Sequence, residues 1–365
     1  MIPLFNLNAQ HQQLQPRLNE VLQQVVRDGQ FILGPNVKAL EREVAIACEC
    51  SHAVGVASGT DALRLALAAV GVGVGDEVIT TPFTFIATAS VILRAGAVPV
   101  FVDVDPTTLN LDSSAVASAI TPRTKAIIVV HLYGNPAEME SLSDVAKKHG
   151  LALIEDCAQA FGAEYRGKRV GSIGSVGCLS FYPTKNLGGV GDGGMVVTNE
   201  PTIADRVDQL RRQGSRVRYI AEEVGFNSRL DELQAAVLRV KLEHIDGWQE
   251  RRRQIASRYS EAFRSSRSVA VPLTHAPDSK PVFHLYTVKS QARAELQRRL
   301  RDAGVETGVY YPQALHLQPA FRQYLARPLP VAEDAQDTVL SLPMFPELTD
   351  AEIGFVIDSV LDISR

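Results

Sequence analysis

"KAIIVVHLYGNPAEMESLSDVAKKHGLALIED", residues 125–156, decides the fold class. Its ends, "KAIIVVH" and "LALIED", are short runs of near-continuous Val, Ile and Leu, the pattern of strands buried on both faces. Between them "SLSDVAKKHG" reads as a helix. Strand, helix, strand is the repeating unit of a parallel sheet covered by helices. The alternation extends toward the N-terminus. "HAVGVA" (52–57), "DEVITT" (76–81) and "VPVFVDV" (98–104) are strands. "SGTDALRLALAAVG" (58–71), "FIATASVILRAG" (85–96) and "LDSSAVASAI" (111–120) are helices. Ahead of them, Leu14, Leu18, Val21, Leu22 and Val25 are spaced for a helix over 11–28, and a second helix covers about 36–49. An α/β domain is expected over residues 1–245, followed by a smaller α+β domain over 246–365.

At the junction, residues 230–263 read as helix over nearly their whole length, with a bend near Gly247. Beyond lie a strand "FHLYTVK" (283–289), a helix "ARAELQRRLRDAG" (292–304) and "GVYYP" (308–312) as strand or loop. The last helix carries a capping box, Thr349 with Glu352, and an apolar stripe of Ile353, Val356, Ile357, Val360 and Leu361.

Composition excludes several function classes. The 365 residues are 45% apolar and 21% charged, ordinary for a globular chain. A net charge of -4 gives no field to draw nucleic acid or an anionic membrane. The basic runs "RRQGSRVR" (211–218) and "ERRRQ" (250–254) read as solvated helix faces ahead of an anion site. No apolar run reaches the roughly 18 residues of a membrane span, and the N-terminus has no signal-peptide pattern. Cys48, Cys50, Cys157 and Cys178 form neither a CxxC pair nor a disulfide framework, and no metal site is expected. These features imply a reduced, cytoplasmic protein.

Four features carry chemistry. "VASGTDAL" (56–63) ends a strand and opens a helix at Ser58, Gly59 and Thr60, where free N–H groups can hold an anion; Ser58 or Thr60 can equally be a plain cap. "LIEDCAQAFGA" (153–163) puts Asp156 at the carboxyl end of a buried parallel strand, where such sheets bind ligands, with Gln159 three residues on. "SFYPTKNLGGVGDGGMVVTN" (180–199) places Lys185 on a turn between two strand-like segments, beside glycines. A partly desolvated lysine is a nucleophile that forms Schiff bases. "TTPFTFIATA" (80–89) sets Phe85 just past a strand end, placed to stack on a flat ring or to fill the core. A phosphate cradle, an aromatic plate, an acid and an amine together suit pyridoxal phosphate, whose ring nitrogen needs an acidic partner.

The chain resembles the DegT/StrS family of sugar aminotransferases, within the fold-type-I enzymes that use pyridoxal phosphate. "IPLFNLNAQ", "SGTDAL", "PFTFIATA", "VHLYGNPAEM", "EDCAQAFGA", "SFYPTKNLGGVGDGGMVVTN", "GFNSRLDELQAA", "YYPQALHLQPAF" and "SLPMFPELTDAEI" carry the likeness. It implies a mostly parallel, seven-stranded-type sheet covered by helices. It implies Lys185 as the Schiff-base lysine, Asp156 as the ring-nitrogen partner and Gln159 near the ring hydroxyl. Ser58, Gly59, Thr60 and Ser180 would bind the phosphate, with Phe85 stacking on the ring. Asn227 would reach the phosphate of a neighbouring subunit, making a homodimer with shared sites. Tyr182, Tyr310, Tyr311 and His316 would face the sugar.

The implied reaction moves an amino group, with glutamate as donor, to a keto sugar on a nucleoside diphosphate. "YPTKNLG" is similar to enzymes acting on dTDP-linked 3-keto sugars, and "TGVYYPQALHLQPAF" to those acting on UDP-linked ones, which puts C3 ahead of C4. Relatives that dehydrate sugars carry histidine where this chain has Lys185. Two alternatives remain: a keto-cyclitol (scyllo-inosose-type) aminotransferase of aminoglycoside biosynthesis, and a regulatory protein that binds pyridoxal phosphate without turnover. "GVGVGDEV" (71–78) follows a helix and precedes a strand, the wrong order for a dinucleotide loop.

Overall fold

The computed structural model describes residues 1–266, 269–271, 278–325 and 327–362. Seven strands form the central sheet: β1 (His52–Val56), β2 (Glu77–Thr80), β3 (Val98–Phe101), β4 (Thr124–Val130), β5 (Ala152–Asp156), β6 (Val176–Ser180) and β7 (Gly194–Thr198). Their spatial order is β1-β7-β6-β5-β4-β2-β3. All run parallel except β7, which is antiparallel to both its neighbours. Alternate residues point to opposite faces, so the sheet feeds two cores. Ile79, Ile127, Val129, Leu153, Leu179 and Val197 pack on one side. Val54, Val78, Ile128, Ile154, Val176 and Val196 pack on the other.

Helices cover these faces. α1 (Leu7–Asp28) starts four residues before the expected 11, because the Asn6 side chain accepts a hydrogen bond from the Ala9 N–H and caps it. It ends at Gly29, which takes the left-handed conformation, φ 67°. α2 (Pro35–Ala47) and α3 (Gly59–Ala69) flank β1, α4 (Ala87–Arg94) follows β2, and α5 (Met139–His149) links β4 to β5.

The long helical reading of 230–263 is corrected. It forms two helices, α6 (Glu232–Leu242) and α7 (Ile245–Phe263), broken at Glu243–His244 rather than near Gly247. Each half serves a different core. Val237 and Val240 of α6 pack on Leu14 and Leu18 of α1. Ile255, Ala256, Tyr259 and Phe263 of α7 pack on β8 (Tyr286–Lys289), β9 (Val339–Leu342) and the final helix α8 (Asp350–Asp362). Neither β9 nor the helix before it, Pro330–Thr338, stands out in the sequence pattern. Ile2 joins this second core through a parallel bridge to Val305, so the chain's first residues lie on its C-terminal part. The capping box forms as expected: Glu352 accepts from the Thr349 N–H at 2.9 Å, and the Glu352 N–H reaches the Thr349 hydroxyl at 3.2 Å.

Gly247 is therefore an exposed residue inside the first turn of a helix, and a Cβ there would meet nothing within 4 Å. Gly247→Ala should raise stability by about 0.5 kcal/mol in urea denaturation, because alanine loses less backbone entropy in a helix. A hinge at this position would instead make the substitution destabilising.

Candidate active site

The site lies at the carboxyl edge of the sheet. Register pairs Val130 of β4 with Asp156 of β5, and Asp156 with Cys178 of β6. The adjacent acids Glu155 and Asp156 point to opposite faces, as alternation along a strand requires. Their surroundings differ accordingly.

Glu155 is fully buried, and its carboxylate accepts from the N–H groups of Gly171, Ile173 and Gly174 at 2.6–2.9 Å. It also meets His131 Nε2 at 3.0 Å. The Ala137 N–H donates to His131 Nδ1 at 3.0 Å, so the ring proton sits on Nε2 and is donated to Glu155. His131, Glu155 and Cys157 offer ligand-type atoms within 4.8 Å of one another. The histidine and carboxylate atoms are already committed to these hydrogen bonds, so the cluster holds the fold together rather than a cation.

Asp156 faces the other way. It is 5% exposed, accepts from the Thr88 hydroxyl at 2.8 Å and accepts from the Ala158 N–H at 3.2 Å. Burial pushes its carboxyl above the ordinary range, while those two bonds and the charges of Lys185 and His131 pull it down. Lys185 is half-buried on the loop between β6 and β7. Its N–H donates to the Tyr182 carbonyl at 2.8 Å, and the Gly189 N–H donates to the Phe181 carbonyl at 2.8 Å, closing the loop. Desolvation lowers the Lys185 amine to about 8, against the opposing pull of Asp156. Amine and carboxylate therefore lie within each other's field.

Beside them is the start of α3. The Ser58 side chain accepts from the Asp61 N–H at 3.1 Å, so it is the helix cap. The N–H groups of Gly59 and Thr60 at the helix start have no intrahelical acceptor. A Cβ on Gly59 would fall 2.6 Å from the Ser180 Cβ, which places Ser180 directly against this turn. Helix N–H groups, the Ser180 hydroxyl and the exposed Thr60 make a corner suited to a phosphate. Phe85 is 55% exposed, with its ring 6.4 Å from that of Tyr311. The Tyr311 hydroxyl accepts from Gln159 Nε2 at 3.0 Å, and Gln159 Oε1 accepts from the Tyr133 N–H at 2.6 Å. Tyr133 adopts φ 59°, a left-handed conformation costly for a tyrosine, and its hydroxyl donates to the Tyr310 carbonyl. A buried acid, a desolvated amine, an anion corner and an exposed ring meet the requirements of pyridoxal phosphate.

Two predicted site residues stand apart. Asn227 is exposed and pairs with Arg212 by a backbone bridge. The family resemblance places His316 at the sugar, but the structure buries it completely, with Nε2 3.1 Å from Glu333 and its ring against Phe101. It offers no surface to a ligand. Tyr182, at 54% exposure, is open to one. The basic runs are largely matched by nearby acids: Arg211 pairs with Glu41 and Asp208, and Arg216 with Asp205 and Glu222. Sequence reasoning missed Thr88 and the pair Asn186–His284. His284 Nδ1 lies 3.2 Å from Asn186 Oδ1, next in the chain to Lys185, and burial and the Lys185 charge hold its ring neutral. Nothing in the sequence marks Thr88, which stands out only once the structure buries it fully in α4 against Asp156.

The model of the DegT/DnrJ/EryC1/StrS aminotransferase family matches residues 12–361. A pleiotropic regulatory protein of Geobacillus stearothermophilus is 48% identical over 367 aligned positions, covering 100% of this chain and 99% of that protein. The dTDP-3-amino-3,4,6-trideoxy-alpha-D-glucose transaminase of Streptomyces venezuelae is 46% identical over 362, covering 98% and 95%. Among solved structures, S. venezuelae DesV in complex with a ketimine intermediate superposes with a TM-score of 0.97 at 45% identity, covering 100% of this chain and 98% of that one.

The lowered Lys185 amine is directly measurable. Acetylation of the cofactor-free protein across pH, read by mass spectrometry, should give a midpoint for Lys185 near 8. Exposed lysines should titrate near about 10.4.

Proposed function

The chain belongs to the DegT/DnrJ/EryC1/StrS aminotransferase family, and from that premise we propose that it transfers an amino group from L-glutamate to the C3 keto group of a hexose carried on dTDP or UDP. The observation that carries the reading is the buried Asp156 within the field of a Lys185 amine lowered to about 8, beside a helix N-terminus. The C3 position rests on the substrate named for the Streptomyces venezuelae relative and on the motifs around Lys185 and Tyr311.

Pyridoxal phosphate, when bound, supplies the carbonyl that carries the amino group and a ring that delocalises negative charge. The Gly59 and Thr60 N–H groups with Ser58 and Ser180 would hold its phosphate. Asp156, oriented by Thr88 and Ala158, keeps a negative charge for the ring nitrogen. Gln159, fixed between Tyr311 and the Tyr133 N–H, would face the ring, and the exposed Phe85 would stack on it. Lys185 Nζ, near 8, takes and returns a proton at neutral pH as general acid and base. Tyr182, Tyr310 and Tyr311 line the side open to the sugar.

Residues 1–245 form the cofactor-binding domain and 246–365 the small domain in this reading. The exposed Asn227 reaches the phosphate site of a second copy, making a homodimer with shared sites. The free, mostly buried cysteines fit a cytoplasmic setting. The Geobacillus stearothermophilus relative is named a regulatory protein, and the reading as a cofactor-binding protein without turnover is carried as one outcome of the test below. The relatives named above give the keto-cyclitol reading no support.

An absorbance spectrum separates these outcomes. Wild type with pyridoxal phosphate should show a band near about 410–430 nm, absent in Lys185→Ala, that moves to about 330 nm with L-glutamate. A dTDP- or UDP-linked 3-keto hexose should restore it, and which one does so names the nucleotide. A band that no amino donor moves would favour the regulatory reading. A band retained unchanged in Lys185→Ala would overturn the role of Lys185.

A further inference from the structure

Lys241 is a fully buried cation away from the chemistry described above. A buried ammonium must be matched by acceptors or it destabilises the fold. Its Nζ donates to the Gly188 carbonyl at 2.8 Å and lies 3.0 Å from His11 Nε2. Burial and the Lys241 charge both lower the His11 ring's affinity for a proton, so the ring is neutral and Nε2 accepts. Glu347 is the acid whose charge opposes the desolvation of Lys241, which burial brings to about 8.

Gly188 stands at the neck of the Lys185 loop. A Cβ there would come 2.3 Å from the Pro183 carbonyl oxygen, so the loop folds back on itself at this residue. The next residue's N–H closes the same neck onto Phe181. Gln234 grips the following residue, with its Oε1 accepting from the Val190 N–H at 2.9 Å. Gln234 and Lys241 lie seven residues apart on α6, two turns along one helix face. One rigid face of α6 thus holds residues 188–190, while Asn186 is held by His284 and by the Val282 carbonyl at 3.0 Å.

We propose that Lys241 is a positioning residue for the transamination site: its ammonium, locked by His11, clamps the Gly188 carbonyl and so fixes where the Lys185 loop presents its amine. The proposal rests on the functional reading above for its relevance to turnover, and on geometry alone for the clamp. Without the clamp, the neck opens, water reaches Lys185 and its amine loses part of its desolvation.

The test uses the full chain without added cofactor. Hydrogen exchange by mass spectrometry follows residues 181–190, and pH-dependent acetylation follows Lys185. In folded Lys241→Met, amides of 181–190 should exchange about ten-fold faster with the sheet strands unchanged. The Lys185 midpoint should rise from about 8 toward that of an exposed lysine. His11→Leu should move both readouts the same way by less, and it decides the matter if Lys241→Met does not fold. Loop exchange and a Lys185 midpoint that match wild type in the folded variant would overturn the proposal. So would faster exchange spread evenly over the sheet. If wild type gives no visible band with pyridoxal phosphate, the functional reading fails, and these cofactor-free readouts still decide the clamp.

Discussion

The structure depends on one costly placement: a carboxylate and an amine, Asp156 and Lys185, desolvated in each other's field at the carboxyl edge of a parallel sheet. Burial favours the neutral form of each group, and each one's charge favours the ionised form of the other. The Thr88 and Ala158 hydrogen bonds hold the Asp156 charge first and Lys185 adds to them, while Asp156 is the charge that opposes the desolvation of Lys185. The parallel register of β4, β5 and β6 puts Asp156 at the edge, and the antiparallel return of β7 creates the loop that carries Lys185 across it. The neighbouring Glu155 shows the contrast. It has the same charge and a deeper position, but three backbone N–H groups and a histidine saturate it, so it is structural.

Holding that placement draws on the whole chain. Thr88 from α4 orients Asp156, and Gln159 is tied to Tyr311 from the C-terminal part. Arg252 of α7, buried, donates to the carbonyls of Phe283 and Met344, anchoring the segment from which His284 reaches Asn186. Burial lowers that guanidinium to about 10. The glycines after Lys185 serve the same end. A side chain at Gly194 would strike the Ser58 carbonyl at 2.4 Å, so β7 can lie against the start of α3 only because the residue is glycine.

The sheet was legible in the sequence because its strands are continuous apolar runs between helices with their own period, as in residues 125–156. Asp156 was legible as the acid that ends such a run, and Lys185 as the lysine on a turn between two strand-like segments beside glycines, with their roles taken from the family resemblance. The misses have physical causes. Glu243 and His244 are ordinary helix residues, so the break between α6 and α7 is set by the two cores and leaves no local mark. Thr88 looks like one more small residue in a helix until the strand beside it supplies a carboxylate. Family resemblance put His316 at the sugar, whereas its burial against Phe101 is a tertiary property that no short pattern encodes.

The coupling of the two central groups can be tested on its own. The measurement is the acetylation midpoint of Lys185 in Asp156→Asn beside wild type, in cofactor-free protein of matched stability. Asp156 is the charge that raises the Lys185 amine against desolvation. Removing it should move the midpoint down, below about 8. A midpoint that stays where it was, or rises, would mean the two groups do not share a site, and the account built on their pairing would fail.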